Sequence, residues 1–322
     1  MSNVEVRPVE MACDGTAGSR GKVLNARDVP LGGPRAMRVR RTLPQRAQSL
    51  IGAWCFVDHY GPDDVSTTGG MRVDGHPHTG LQTVSWLFRG EIEHRDTTGA
   101  HALVRPGELN LMTAGRGIAH SEHSTSATTT LHGVQLWVAL PERDRFTAPG
   151  FEHYAPPVRE HEGARVLVFL GSLLGETSLV RTSTPLLGAE ISLPPGQELV
   201  LPVEPEFEHG VLLDTGSVTA AGIDAEPGQL VHQPVGCREL ALRAGQQGAR
   251  VLVLGGTPLG EQILMWWNFV GRSHEEIVEY RDRWQAERAG TAADSRFGPF
   301  PEQWRSTLPA PELPATRLRS RG

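Results

Sequence analysis

His76 and His78 flank a single proline in the stretch Asp74 to Trp86, "DGHPHTGLQTVSW", and a second polar pair, His120 and Glu122, stands in "TAGRGIAHSEHS". In an extended strand residues i and i+2 point to the same face, so His76 and His78 can converge on one ion while Pro77 points away. Proline denies a strand one ladder hydrogen bond, which suits an edge or irregular stretch near a barrel mouth. On neighbouring strands of a closed barrel the two pairs would present three imidazoles and one carboxylate to a single interior point. That donor set suits iron, manganese, nickel, copper or zinc, and a six-coordinate ion held by four side chains keeps two positions open for substrate and dioxygen. A structural zinc site would more often close its tetrahedron with cysteine, and Cys13, Cys55 and Cys237 all lie far from both pairs.

Such pairs need strands to carry them. From about Ser49 to Leu140 short apolar runs follow one another, broken by Gly or Pro-Gly. Val84, Trp86 and Phe88 fall on one face, then Leu109 and Leu111, then Val134, Leu136, Val138 and Leu140. This half reads as all-β. The stretch Pro141 to Ala164, rich in Pro, Gly and charge, reads as a linker crossing between domains. Strands resume beyond it, and an internal duplication is visible. "TVSWLFRGEIEH", centred on Gly90, is followed by the turn "RPGELNLM", as "HGVLLDTGSVTA", centred on Gly216, is followed by "EPGQLVHQ". The second half lacks both ligand pairs. After Gly260 a capping box, Ser273 with Glu276, and the helical spacing of Ile277, Tyr280 and Trp284 predict one C-terminal helix. Residues 1–20 read as a poorly ordered tail, and the Pro-rich chain beyond Ala289 as a tail that wraps the surface or stays mobile.

Composition narrows the function. At 322 residues the chain exceeds the usual size of one core, so two domains are expected. A net charge of −6 gives no electrostatic footprint for nucleic acid. An odd number of scattered cysteines, no basic-apolar leader and no run of 18 apolar residues predict a cytoplasmic protein without a membrane segment. The close glycines of "TAGRGIAH" lack the strand-to-helix context of a phosphate loop and instead permit a tight turn before the ligand pair. His59, His94, His101, His123 and His132 read as supporting or surface groups, Trp266 and Trp267 as packing, and Cys55 as a buried hydrophobe.

The two long motifs, "HPHTGLQTVSWLFRGEIEHRD" and "RPGELNLMTAGRGIAHSE", together with the upstream "FVDHYGP", resemble the pirin family of the cupin superfamily. The resemblance covers most of residues 20 to 290. It implies an all-β bicupin, two stacked cupin β-barrels with a C-terminal helix. The boundaries expected are a tail 1–20, a metal-bearing barrel 21–145, a linker 146–163, a metal-free barrel 164–290 and a tail 291–322. It implies metal ligation by His76, His78, His120 and Glu122, usually to Fe(II). Members similar to quercetinases cleave flavonols with dioxygen, opening the central ring and releasing carbon monoxide, with Glu122 here as the proton acceptor. The alternative implied by another branch is a redox-sensing or regulatory protein that acts through protein partners. Many relatives are acidic at Gln82, where other cupins draw their carboxylate ligand. The neutral amide leaves that role to Glu122, with Gln82 placed to hydrogen-bond a ligand.

Overall fold

A computed structural model of the chain describes residues 5, 11–13, 21–31 and 37–318; the expected tail 1–20 otherwise lies outside the described residues. In the first half the alternating runs pair antiparallel into two sheets. Seven strands run in the order Gly150–Tyr154, Leu109–Thr113, Leu81–Arg89, Thr130–Ala139, Trp54–Asp64, Met37–Leu43 and Arg27–Leu31. Four more, Arg72–His78, Ile118–Ser124, Ile92–Asp96 and His101–Val104, close the other wall.

Strand alternation divides the work of the larger sheet between its faces. Val84, Trp86, Leu109, Leu111, Val134, Leu136 and Val138 share one face and bury themselves against Leu167, Phe169, Leu212, Leu252 and Leu254 of the second half. Thr83, Ser85, Gln135 and Trp137, at the intervening positions, turn toward the four-stranded wall. The contact between the halves is therefore a continuous apolar core. Polar groups within it find partners across the junction: Trp54 Nε1 donates to Gly255 O at 3.1 Å, Trp86 Nε1 to Glu190 Oε2 at 2.7 Å, and Gly52 N to Glu208 Oε2 at 2.9 Å. Gly52, at φ 55°, also lets the backbones approach, since a Cβ there would meet Gly256 Cα at 2.6 Å.

The second barrel is filled by Val166, Val168, Ala189, Ile191, Val211, Leu213, Val251 and Val253. Its sheet follows the duplicated order. Gly90 and Gly216 both have positive φ, 90° and 82°. The Pro-Gly turn after each returns to the same place in its repeat, Gly107 N bonding Leu87 O at 3.1 Å and Gly228 N bonding Leu213 O at 2.8 Å. Two features cross between the halves. Lys22–Leu24 pairs with Leu230–His232 of the second barrel. The stretch read as a linker carries two short strands, Gly150–Tyr154 on the first barrel and Arg159–His161 on the second.

The helix spans His274–Arg288, capped by Ser273, whose side chain accepts Glu276 N, and it buries Ile277, Tyr280 and Trp284. Only half of the capping box forms. Glu276 turns its carboxylate to Arg145, at 2.9 Å from each of two guanidinium nitrogens, and to Arg272 N at 2.8 Å. Charge pairing wins over the local bond because Arg145 is itself buried. Beyond the helix the chain to residue 318 packs back on the first barrel, with Phe297, Ala310 and Leu318 buried.

Candidate metal centre

The Arg72–His78 strand is the edge of its sheet, where Pro77 costs no shared ladder bond. It pairs with Ile118–Ser124 so that His76 stands opposite His120, yet Glu122 stands opposite Val73. Two residues, Asp74 and Gly75, thus face the single Ser121. This is a β-bulge, the device by which a strand re-aims its side chains. Ahead of His120 the turn Ala114–Gly117 closes with Gly117 N to Ala114 O at 2.9 Å. Gly115 is required there, at φ 52° with Thr147 O only 2.1 Å from where a Cβ would be.

His76, His78 and His120 are fully buried and each offers one nitrogen within 4.8 Å of the others. His78 Nε2 and His120 Nε2 are 3.1 Å apart. His76 Nδ1 lies 2.7 Å from Asp74 O, and donating there fixes the tautomer and leaves Nε2 as a lone-pair donor. The Asn268 backbone hydrogen-bonds the His78 ring, and Trp137 packs edge-on against it at 5.2 Å. Burial pushes the His76 pKa down to about 4, and burial with neighbouring imidazoles holds His78 and His120 well below the ordinary histidine value. Three uncharged imidazoles facing one another in a dry interior fit a divalent cation, which takes the neutral form of the ring.

Glu122 belongs to a second triplet, with His94 and His120. The four residues singled out in the sequence are therefore brought to one region, through two triplets that share His120. His94 stands directly opposite Glu122 in the strand register, its Nδ1 3.3 Å from His120 Nδ1 and its Nε2 3.1 Å from Asp96 Oδ2. Phe151 stacks on its outer side at 4.7 Å. This histidine, read from sequence as a supporting or surface group, sets a ring nitrogen beside His120 and Glu122, within reach of the centre. Ser85 Oγ reaches Glu122 Oε1 at 3.3 Å and Gln135 Oε1 at 2.9 Å, and its single proton serves one of them at a time.

The other four histidines singled out in the sequence separate into two groups. His101 pairs with Glu93 at the surface and the half-exposed His123 with Asp74. His59 and His132 are buried between the barrels, where both reach Asp214, at 2.7 and 2.6 Å. Although burial opposes it, hydrogen bonds from His132 and His59 hold the Asp214 carboxyl well below the usual carboxylate range. The expectation that Gln82 would support a ligand is corrected. Gln82 shares its face with Val84 and Val138 and gives Nε2 to Thr113 Oγ1 at 2.9 Å, on the side of the sheet opposite Ser85 and the candidate centre. Trp266, Trp267 and Cys55 are buried in apolar clusters, as packing residues.

Comparison with known proteins agrees with this architecture. Residues 36–138 match the model of the family described as Pirin, and residues 188–290 that of the Pirin C-terminal cupin domain. A Pseudomonas aeruginosa protein named "putative quercetin 2,3-dioxygenase" is 40% identical, over 90% of this chain and 90% of its own. A pirin-like protein of Caulobacter vibrioides is 34% identical over 83% of this chain and 93% of its own. Among solved structures, a quercetin 2,3-dioxygenase from Acinetobacter baumannii superposes with a TM-score of 0.86 at 37% identity, covering 94% of this chain and 98% of that one. With two stacked barrels, a histidine cluster in the first and matches to both family models in order along the chain, this protein is a member of the pirin family.

Proposed function

We propose that the protein is a metal-dependent dioxygenase of the quercetin 2,3-dioxygenase type, acting with dioxygen on a flavonol-like aromatic substrate in the cytoplasm. The observation that carries this reading is the convergence of three buried, uncharged imidazoles beside the buried carboxylate of Glu122. Support comes from the names of the relatives at 37–40% identity. His76, His78, His120 and Glu122 hold one divalent transition metal, with Fe(II) the preferred ion, and the second barrel, which lacks both ligand pairs, holds none. When bound, such an ion supplies Lewis-acid polarisation and one-electron redox chemistry. The rest falls to the protein. Glu122 takes the proton from the 3-hydroxyl of the flavonol, and Ser85 steadies the carboxylate through its hydroxyl. Trp137, stacked on Phe56 at 4.0 Å, walls the interior against water beside His78. The free thiol of Cys237 suits a reducing compartment, and no described helix is long and apolar enough to cross a membrane.

Oxygen uptake by Fe(II)-loaded protein supplied with quercetin tests the proposal, together with elemental analysis of protein purified without added metal. Turnover that disappears in Glu122→Ala is the expected result. Retained turnover in that variant would remove Glu122 as the base. Absence of turnover in the wild type, with redox-dependent capture of a protein partner, would instead favour a sensor.

A further inference from the structure

We propose that residues 296–308, which lie beyond both family-model matches, form a strap that positions the candidate metal donors from outside the barrel. The inference rests on the metal-site reading above and deepens it. The strap meets the first donor strand at Gly75, immediately ahead of His76, and reaches the second through Thr97 and the turn at Arg116, ahead of His120.

At the first contact the bulge is decisive. Ladder pairing on the Arg72–His78 strand is interrupted at Asp74 and Gly75, and the strap takes up the interrupted backbone. Leu308 N donates to Gly75 O at 2.7 Å, and Thr307 forms a parallel bridge with Gly75. Trp304 lies where a side chain on Gly75 would be, its ring carbons 2.4 and 2.5 Å from the position of a Cβ. Ser306 Oγ donates to Asp74 Oδ2, and His123 Nε2 lies 3.1 Å from Oδ1 of the same carboxylate. Asp74 is thereby held by its side chain while its carbonyl accepts from His76 Nδ1 at 2.7 Å. The peptide that sets the His76 tautomer is thus gripped from both sides.

The second contact repeats the arrangement. Thr97 Oγ1 donates to Phe297 O and accepts Ala119 N at 3.0 Å, while Thr97 N donates to Ala119 O at 2.9 Å. Ala119 precedes His120. Arg296 Nε donates to Arg116 O at 2.8 Å, on the turn that leads into the same strand. The strap is anchored on the helix in turn: Arg288 donates to Thr307 Oγ1 at 3.0 Å and to Thr307 O at 2.9 Å, Trp284 Nε1 to Leu308 O at 2.8 Å, and Glu287 accepts Arg296 N and Phe297 N at 2.6 and 3.1 Å. Groups that hydrogen-bond a metal-ligating histidine commonly govern metal affinity about tenfold or more, and the strap fixes the peptide that supplies this group to His76.

The test uses the full chain and Co(II) alone as probe, read by competition with a chromophoric chelator and by the visible absorption of the bound ion. Leu308→Pro removes the N–H that bonds Gly75. Gly75→Ala displaces Trp304, and Ser306→Ala cuts only the side-chain link to Asp74. The expected result is Co(II) affinity about tenfold weaker in Leu308→Pro and Gly75→Ala, with a shifted absorption band, and a smaller change of the same sign in Ser306→Ala. A strap that only braces the fold would lower the thermal midpoint and leave the band and affinity of the folded variants unmoved, and that result overturns the inference. If Leu308→Pro does not fold, the other two variants decide. Binding by wild type that is lost in His76→Ala upholds the metal site whatever the strap variants do. No Co(II) uptake by wild type overturns the metal-site reading and the strap with it.

Discussion

His132 Nε2 lies 2.6 Å from Asp214 Oδ1, joining the first barrel to the second through two buried side chains. His59 Nε2 reaches the same oxygen at 2.7 Å, and Arg250 Nε holds Oδ2 at 2.6 Å. Three donor atoms also converge here, but the chemistry differs from that of the candidate centre. The Arg250 guanidinium neutralises the carboxylate, and Arg40 Nη2 stands 3.5 Å from His59 Nε2, so the local field opposes a further cation. The cluster is a hydrogen-bonded clasp between the halves.

Asp214→Ala leaves a partly buried guanidinium and two imidazoles without their acceptor. A loss of about 3–5 kcal/mol in urea-induced unfolding is expected, the range for breaking a buried pair by removing one partner. A loss below about 1 kcal/mol would show that the clasp contributes little to the junction.

His209 points into the second barrel with neither ring nitrogen hydrogen-bonded, and burial, reinforced by His232, pushes its pKa down to about 4. An unfolded histidine titrates near 6.5, so the folded state binds fewer protons between these values and stability falls as pH drops below about 6.5. At pH 5 the cost from this one ring is on the order of 2 kcal/mol. His209→Leu, which removes the charge and fills the apolar interior, is expected to flatten the decline between pH 7.5 and pH 5. Equal slopes in urea midpoints for wild type and variant over that range would refute this.

His78 and His94 differ in role although both flank His120. With His76, His78, His120 and Glu122 as the ligand set, His78→Ala abolishes metal uptake. His94→Ala weakens it about tenfold, as loss of a group that orients a ligand does. Stoichiometry and affinity measured by elemental analysis and chelator competition check both. The reverse ranking would move His94 into the ligand set.

Much of this was legible in the residues, and the exceptions share a cause. The i,i+2 pairs, the capping serine and the apolar alternation each follow from local periodicity, which a sequence displays directly. His94 escaped because its importance lies in standing opposite Glu122, a pairing set by strand register 28 residues away in the chain. His59 and His132 escaped for the same reason, their shared partner Asp214 belonging to the other barrel. Gln82 misled in a different way. The chain turns at Gly80 between two strands of different sheets, so counting from His78 does not carry the face across the break. The segment after the helix shows no period because its role depends on backbone hydrogen bonds, which any residue except proline can make.

The apolar junction between the barrels also bears on how the protein is made. Val84, Trp86, Leu136 and Val138 leave the ribosome more than a hundred residues before Leu252 and Leu254, the groups that cover them. Synthesis runs from the N-terminus, so the donor-bearing half exists for a time as a sheet with one greasy face bare, the kind of surface that chaperones guard and that aggregates otherwise. Each barrel thus serves as the cover for the other's apolar face, though only one carries the candidate chemistry.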